Sequence, residues 1–298
     1  MRANFPERPD PAQVQLDSSG SMRIHHLNCG TLCPHSARMI NGRGGWREPA
    51  RVVCHCLLIE TDGGLVLVDT GFGTADVANT RQLGPAFAMM RPKAEIGETA
   101  LKQVEALGFA AGDVRQIVAT HLDPDHSGGL PDFPEAEVHV YGRELDAALH
   151  PGLRDRPRYI KPHWAHGPNW VRHDAEGDDW FGFEGVRILP DLGSEVLLVP
   201  LIGHTRGHTG IAIRTGDGWL LHCGDAYFHH GELATPPHCP PGLRFFQLLN
   251  AADGRQRRAN QERLRELAGS HGDEVQLLCS HDPHELDRAQ AASATAAA

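Results

Sequence analysis

The sequence lacks three features that would place the protein at a membrane or on nucleic acid. No apolar run approaches the ~20 residues needed to cross a bilayer. The first residues, MRANFPERPD, have no apolar stretch after their charges, so we expect no secretory signal and a cytoplasmic location. The formal net charge is −10 and no Lys/Arg-rich run occurs, which disfavours nucleic acid and anionic membranes as partners. A small-molecule substrate is the remaining expectation, and a homodimer is left open.

Two catalytic or structural signatures are also missing. The seven cysteines form no Cys-x-x-Cys pair, which argues against a zinc ribbon or a thioredoxin-type site. No Gly-x-Ser-x-Gly motif occurs, so a nucleophilic serine of the α/β-hydrolase kind is not indicated. The chain is rich in histidine instead, with twenty residues, and their positions decide the interpretation.

The chain divides into a polar, Pro-rich extension (1–21), a domain (22–285) and a flexible Ala-rich tail (286–298). Asp62-Gly63-Gly64 marks the turn of a hairpin. Short apolar runs predict strands, and longer amphipathic runs predict helices at 97–107, 142–149 and 254–268. The strands are predicted at 52–60, 65–69, 116–120, 137–141, 196–200, 210–214, 219–223 and 275–280. Hairpins mixed with helix crossovers indicate an α/β fold with mixed sheets covered by helices.

The segment His121-Leu-Asp-Pro-Asp-His126 concentrates potential metal ligands directly after a predicted strand. His121, Asp123, Asp125 and His126 could not all be buried together without a cation to compensate them. Imidazole and carboxylate are ligands for zinc, iron and manganese. A polar surface turn is the alternative interpretation.

Three later predicted strands are also followed by loops that each carry one candidate ligand: His204, Asp225 and His281. An α/β scaffold collects a site at one rim of its sheets in this way. His208 lies near His204 in sequence and could support the site without binding metal.

These motifs, THLDPDHSGG, GHTRGHTG, GDAYF and SHDPHE, resemble in order the ligand motifs of the metallo-β-lactamase superfamily. The resemblance spans about residues 22–285 and implies an αββα sandwich of two mixed sheets flanked by helices. It further implies two divalent metal ions. His121, Asp123 and His204 would hold the first, Asp125, His126 and His281 the second, and Asp225 would bridge both. Asp69, in the motif Val68-Asp69-Thr70-Gly71, would support the ligand loops, with a plain turn residue as the alternative.

Asp123 departs from the family pattern, which places a second histidine there. An additional anionic oxygen donor favours iron or manganese relative to zinc. Alternatively, Asp123 turns away and the protein works with one metal ion.

The resemblance implies a hydrolase that uses a metal-bound hydroxide on a small ester, lactone or thioester, and the acyl-homoserine lactonase branch is the most similar. Asp125, Asp225 and Tyr227 are the candidate catalytic residues. Tyr227 could act as an oxyanion donor, but packing is the favoured role for it. The segment 159–183, with His163, His166 and His173, could wall an acyl pocket or simply cap the sandwich. A thioesterase of the glyoxalase II kind, a phosphodiesterase and a non-catalytic metal-binding or sensory protein are the competing interpretations.

Overall fold

The computed structural model describes residues 23–174, 177–187, 196–216 and 218–296. The strands are β1 (Ile24–Leu32), β2 (Val52–Thr61), β3 (Gly64–Val68), β4 (Pro92–Lys93), β5 (Val114–Val118), β6 (Glu137–Tyr141), β7 (Asn169–His173), β8 (Asp178–Trp180), β9 (Phe183–Arg187), β10 (Val196–Pro200), β11 (Thr209–Thr215), β12 (Gly218–His222) and β13 (Val275–Leu278). The α-helices are α1 (Ala37–Ile40), α2 (Thr74–Ala78), α3 (Gly84–Met90), α4 (Ala100–Ala106), α5 (Pro124–Ser127), α6 (Gly142–Leu149), α7 (Pro241–Asn250), α8 (Gly254–Ser270) and α9 (Pro283–Ala296).

The described strands form two mixed sheets. The first has the order β4-β1-β2-β3-β5-β6-β7, and the second has the order β13-β12-β11-β10-β9-β8. In the first sheet β2 and β3 form the predicted hairpin, in which Thr61 pairs with Gly64 across a two-residue turn. The sheet continues through parallel pairs from β3 to β7, which the helical crossovers allow.

The two sheets pack face to face through a shared apolar core. Leu57, Val66 and Val118 of the first sheet meet Leu198 and Ile211 of the second. Each such side chain contributes roughly 1.5–3 kcal/mol when it leaves water. Both faces of each sheet are apolar. The outer face of each sheet, which is turned away from the other sheet, must therefore also be shielded from water.

Helices cover those outer faces. Val104 of α4 and Leu145 of α6 pack on the first sheet, while Leu264 and Leu267 of α8 pack on the second. The architecture is the expected αββα sandwich.

The two flanking segments predicted from the sequence, 1–21 and 286–298, have different outcomes. The extension 1–21 lies outside the described residues. The tail was expected to be flexible from residue 286, but helix α9 runs from Pro283 to Ala296. Leu286 and Ala289 are buried, because α9 packs against β1 and β2. Among the described residues, no helix combines the length and apolar character needed to span a bilayer.

Candidate metal centre

Strand direction brings the predicted ligand loops to one rim of the sandwich. Strands β10, β12 and β13 point the same way, since β10 and β12 both run antiparallel to β11 and β12 runs parallel to β13. His204, Asp225 and His281 follow these three strands. The loop after β5 delivers the other four candidates from the first sheet. Six of the seven side chains are buried, and Asp123 is half-buried.

Asp225 lies at the centre of the cluster, between two groups of side chains. Its Oδ2 lies 3.3 Å from His204 Nε2 and 3.9 Å from His121 Nε2. Its Oδ1 lies 3.3 Å from His126 Nε2 and 3.1 Å from His281 Nε2. One carboxylate therefore faces four imidazoles with its two oxygens, which is the arrangement expected of a group shared by two cations.

The cluster has two halves on either side of Asp225. We define the first half-site as His121, Asp123 and His204, and the second half-site as Asp125, His126 and His281. In the first half-site, one donor atom from each residue lies within 4.8 Å of the others. In the second, Asp125 Oδ1 lies 3.9 Å from His126 Nε2, and Asp125 Oδ2 lies 3.6 Å from His281 Nε2.

Hydrogen bonds on the far side of three imidazoles turn their Nε2 atoms toward the cluster. His126 Nδ1 donates to Asp69 Oδ2 at 2.8 Å, and His281 Nδ1 donates to the Val53 carbonyl at 2.7 Å. Thr120 Oγ1 donates to Asp69 Oδ2, so it accepts from His121 Nδ1 at 3.0 Å. Such bonds fix the tautomer of a ligating histidine. In its neutral form, each ring therefore presents a lone pair at Nε2.

Asp69 hydrogen-bonds a candidate ligand and the loop that carries it, which is the placement that a supporting role requires. Besides His126, it accepts the Thr120 backbone N–H at 2.8 Å, and it adopts a positive φ of 57° directly after β3. Burial opposes its charged form, but His126 holds the pKa of Asp69 below its usual value.

His208 supports Asp225 rather than the cluster itself. Its Nδ1 donates to the Leu201 carbonyl at 3.0 Å, so its Nε2 accepts the Asp225 backbone N–H at 2.8 Å. Burial lowers the pKa of His208 well below its usual value, and His121 and His204 lower it further. A neutral imidazole is what these two bonds require.

Glu144 is a positioning residue that the sequence analysis missed. Its buried carboxylate accepts the Leu122 N–H at 3.1 Å, the Thr205 hydroxyl at 2.6 Å and the Gly207 N–H at 3.0 Å. It therefore ties the loop of His121 to the loop of His204. A signal was present in the sequence, because Glu144 lies just beyond β6, at the carboxyl end of the strand next to β5.

Arg158 is the second residue that was missed, and it lies inside the first half-site. Its Nη1 donates to Asp123 Oδ2 at 2.5 Å and lies 3.1 Å from His204 Nε2. Its Nη2 donates to the Asn250 carbonyl. Burial opposes the charge on Asp123, but the Arg158 guanidinium holds the pKa of that carboxyl well below its usual range. No strand or motif marks Arg158 in the sequence.

Orphaned polar atoms test whether the cluster fits metal ions. His121 Nε2, Asp123 Oδ1 and Asp225 Oδ1 are buried and find no hydrogen-bond partner within the described part of the chain. Such atoms are costly unless something else satisfies them. A set of imidazole nitrogens and carboxylate oxygens suits divalent transition metals. The side chains of this cluster therefore fit the divalent metal ions that the sequence motifs imply.

Cys54 adds a sulfur atom at the second half-site. A donor atom of Cys54 lies within 4.8 Å of donor atoms of Asp125 and His281. Burial raises the pKa of the Cys54 thiol well above its usual value, and Asp125 raises it further.

Tyr227 does not take the role of an oxyanion donor. Its ring is fully buried in the core of the second sheet, and its hydroxyl donates to Glu285 at 3.0 Å. The packing alternative is therefore the correct one. The next residue reaches the site instead: the Phe228 ring stacks on the His281 ring, with centroids 5.1 Å apart.

The segment 159–183 packs on the sandwich and supplies the edge strands β7 and β8; residues 175 and 176 lie outside the described part. His163 is buried and its Nε2 donates to Asp76 at 2.9 Å, and Trp164 packs on the core of the first sheet. His139 pairs with His173 at 2.9 Å, whereas His166 is exposed. Among the described residues of this segment, none lines the cavity beside the cluster.

That cavity has a volume of about 210 Å³. Five candidate ligands line it: Asp123, Asp125, His204, Asp225 and His281. Apolar side chains, which we refer to as the apolar wall, line it as well: Leu32, Phe87, Met90, Phe246 and Leu249. Arg154 and Arg158 also line it.

Comparison with known proteins gives a consistent result. The sequence profile described as the metallo-beta-lactamase superfamily matches residues 49–277. A probable metallo-hydrolase of Mycobacterium tuberculosis is 44% identical over 263 residues, which cover 88% of this chain and 81% of the relative. An N-acyl homoserine lactonase of Azorhizobium caulinodans is 28% identical over 270 residues, covering 88% and 94% of the two chains.

A solved structure shares the fold at lower identity. It is an N-acyl homoserine lactone hydrolase with the product N-hexanoyl-L-homoserine bound at its catalytic metal center. The TM-score is 0.67 at 20% identity, and the match covers 90% of this chain and 95% of that chain.

Proposed function

We propose that this chain, which belongs to the metallo-β-lactamase superfamily and is a metal-dependent hydrolase, acts on a small ester, lactone or thioester with an apolar acyl group. The observation that carries the proposal is that one cavity is lined both by candidate metal ligands and by the apolar wall. The lactonases among the relatives support the same substrate class.

Divalent metal ions would be held by the cluster described above. His121, Asp123 and His204 would hold one ion, Asp125, His126 and His281 the other, and Asp225 would be shared. Bound there, the ions would supply Lewis acidity, which polarises a carbonyl group and acidifies water. Asp123 contributes an anionic oxygen, which favours iron or manganese relative to zinc.

The two half-sites differ in how strongly they would attract a cation. In the first, Arg158 already neutralises Asp123 and donates toward His204. In the second, Asp125 and His281 face Asp225 without a competing guanidinium among the described residues. We therefore expect the second half-site to bind its metal ion more tightly than the first.

The side chains around the cavity orient the substrate. The apolar wall accommodates an acyl chain, since burying each CH₂ group contributes about 0.8 kcal/mol. Phe228, stacked on His281 and in edge contact with Phe246 at 5.6 Å, screens the ligands from water. Tyr227 is engaged by Glu285, whereas Arg158 and Arg154 line the cavity and offer cationic hydrogen-bond donors to a substrate there.

Adjacent phenylalanines on α7 provide a matched test. Phe246 lines the cavity, whereas Phe245 is 61% exposed and lies outside it. With a series of acyl homoserine lactones, Phe246→Ala should raise KM for long acyl chains roughly tenfold and change KM for short chains little. Phe245→Ala should behave as the unchanged protein. Equal effects of both substitutions, or no lactone, ester or thioester turnover at all, would contradict the proposal.

A phosphodiester substrate is the second candidate, because Arg154 and Arg158 line the cavity and guanidinium groups recognise phosphate. Turnover of bis-p-nitrophenyl phosphate that exceeds turnover of every lactone and ester would favour it. In that case Arg154→Gln should lower phosphodiester hydrolysis more than lactone hydrolysis.

A further inference from the structure

A second group of metal-ligating side chains lies on the surface, outside the catalytic cavity. It consists of His229, His230, His238, His284 and Asp282, and we refer to it as the outer histidine cluster. Its members come from two segments that follow Asp225 and His281 in the chain. The cluster lines a cavity of about 370 Å³, separate from the one described above.

Three of these residues already have the spacing of a metal site. His229, His230 and Asp282 each offer a donor atom, and these atoms lie within 4.8 Å of one another. The rings of His238 and His284 flank the trio. The ring centroids of His229 and His238 are 5.7 Å apart, and those of His230 and His284 are 4.6 Å apart.

Hydrogen bonds fix the orientation of the donors. His229 Nδ1 accepts the Gly231 N–H at 3.0 Å, so its proton resides on Nε2 unless a metal ion replaces it. Asp282 accepts the backbone N–H groups of His230 at 2.6 Å and His284 at 2.8 Å. Its side chain is only 3% exposed. This carboxylate is therefore held in place at the base of the cluster.

Glycine is required where the two histidine loops approach each other. A Cβ atom at Gly231 would lie 2.4 Å from His238 Nε2, and the His238 N–H donates to the Gly231 carbonyl at 2.8 Å. The backbone thus brings the His238 ring against the segment of His229 and His230. The grouping is fixed by the fold and does not depend on flexible surface side chains alone.

We infer that the outer histidine cluster binds one divalent transition-metal ion, separate from the catalytic metal centre. Imidazole nitrogens with one carboxylate oxygen select zinc, nickel or copper over magnesium. The ion joins residues 229–238 to residues 282–284. Because Asp225 and His281 lie at the start of these two segments, its role is to hold the segments that carry two catalytic ligands.

The test uses the metal-loaded protein titrated with Zn²⁺, followed by calorimetry. The unchanged protein should bind one Zn²⁺ beyond its catalytic content, and the His229→Ala/His238→Ala variant should bind that ion at least tenfold more weakly. His166→Ala is the matched control, because His166 is also exposed but lies outside the cluster. Mg²⁺ in place of Zn²⁺ should give no binding at this site.

Thermal unfolding gives a readout independent of hydrolysis. At a free Zn²⁺ concentration about 100 times Kd, the melting temperature should rise by roughly 5 °C in the unchanged protein and in His166→Ala. At the same Zn²⁺ concentration the double variant, whose Kd is at least tenfold weaker, should show at most about half of that rise, and its circular dichroism should remain normal. Absence of additional Zn²⁺ binding in the unchanged protein, or its persistence at full affinity in the double variant, would overturn the inference. Loss of hydrolysis alone would bear on the proposed function instead.

Discussion

Replacing Arg158 should convert the first half-site from a weak metal site into a strong one. The Arg158 guanidinium holds Asp123 Oδ2 at 2.5 Å and lies 3.1 Å from His204 Nε2. A metal ion that takes these donors must displace the guanidinium or share them with it. Arg158→Gln removes the competing charge and keeps a polar side chain at the same place.

The expected magnitude follows from the ion pair. The two side chains are 14% and 13% exposed, so the pair is largely shielded from water. At an effective dielectric constant of about 20, opposite charges about 4 Å apart attract by roughly 4 kcal/mol, and part of this is offset by desolvation. A net free energy of about 3 kcal/mol, by which the guanidinium opposes metal binding, corresponds to roughly a 100-fold change in the Kd of the first half-site for the metal ion.

The assay is titration of metal-free protein with Mn²⁺ or Zn²⁺ against a competing chelator, in a background that carries His229→Ala and His238→Ala. Two classes of site are expected, and Arg158→Gln should tighten the weaker one about 100-fold. Arg158→Lys, which retains the charge, should leave it weak. Arg154→Gln should also leave it weak, because Arg154 contacts the Ala251 carbonyl instead. Unchanged affinity in Arg158→Gln would refute the reasoning.

Three further predictions concern the rest of the site and its support. Asp225→Ala should abolish hydrolysis and reduce bound metal in elemental analysis, since four imidazoles face that carboxylate; full activity with metal lost would contradict this. Glu144→Ala should lower the free energy of unfolding by about 3 kcal/mol in urea titrations, because it leaves buried donors unpaired; Glu105→Ala, an exposed acid, is the control. Burial raises the pKa of Glu285 from 4.5 to about 7, so stability that is present below pH 4.5 is lost as the pH rises through 7. The glutamine of Glu285→Gln stays uncharged at every pH. Between pH 5 and pH 8 the free energy of unfolding of this variant should therefore rise by up to about 3 kcal/mol relative to that of the unchanged protein. The same pH dependence of unfolding in both proteins would refute this.

The sequence predicted those parts of the structure that depend on local pattern. Helix α6 lies at 142–149 as expected, and the predicted strands lie within a few residues of their observed bounds. The convergence of His204, Asp225 and His281 was predictable because strands that run in the same direction deliver their ends to the same rim.

Contacts between distant segments were not predictable. Arg158 reaches Asp123 across 35 positions, and no periodicity or motif marks a long side chain that bends into a site. Tyr227 was a candidate oxyanion donor only because it lies two residues from Asp225, which faces the cluster; packing, the favoured role, is what the structure shows. The Tyr227 side chain lies in the core of the second sheet, where its hydroxyl donates to Glu285. The tail was expected to be flexible from its composition, but alanine also favours helix once one face can be buried, as Leu286 and Ala289 show.

The division of the candidate ligands between the two sheets has a consequence during synthesis. His121 and His126 are made more than 150 residues before His281, and their imidazoles have no complete partner set until the second sheet forms. A ribosome-bound chain that ends short of His281 therefore lacks a complete second half-site. Loading of both half-sites requires a chain that has been made as far as His281 and whose two sheets have docked.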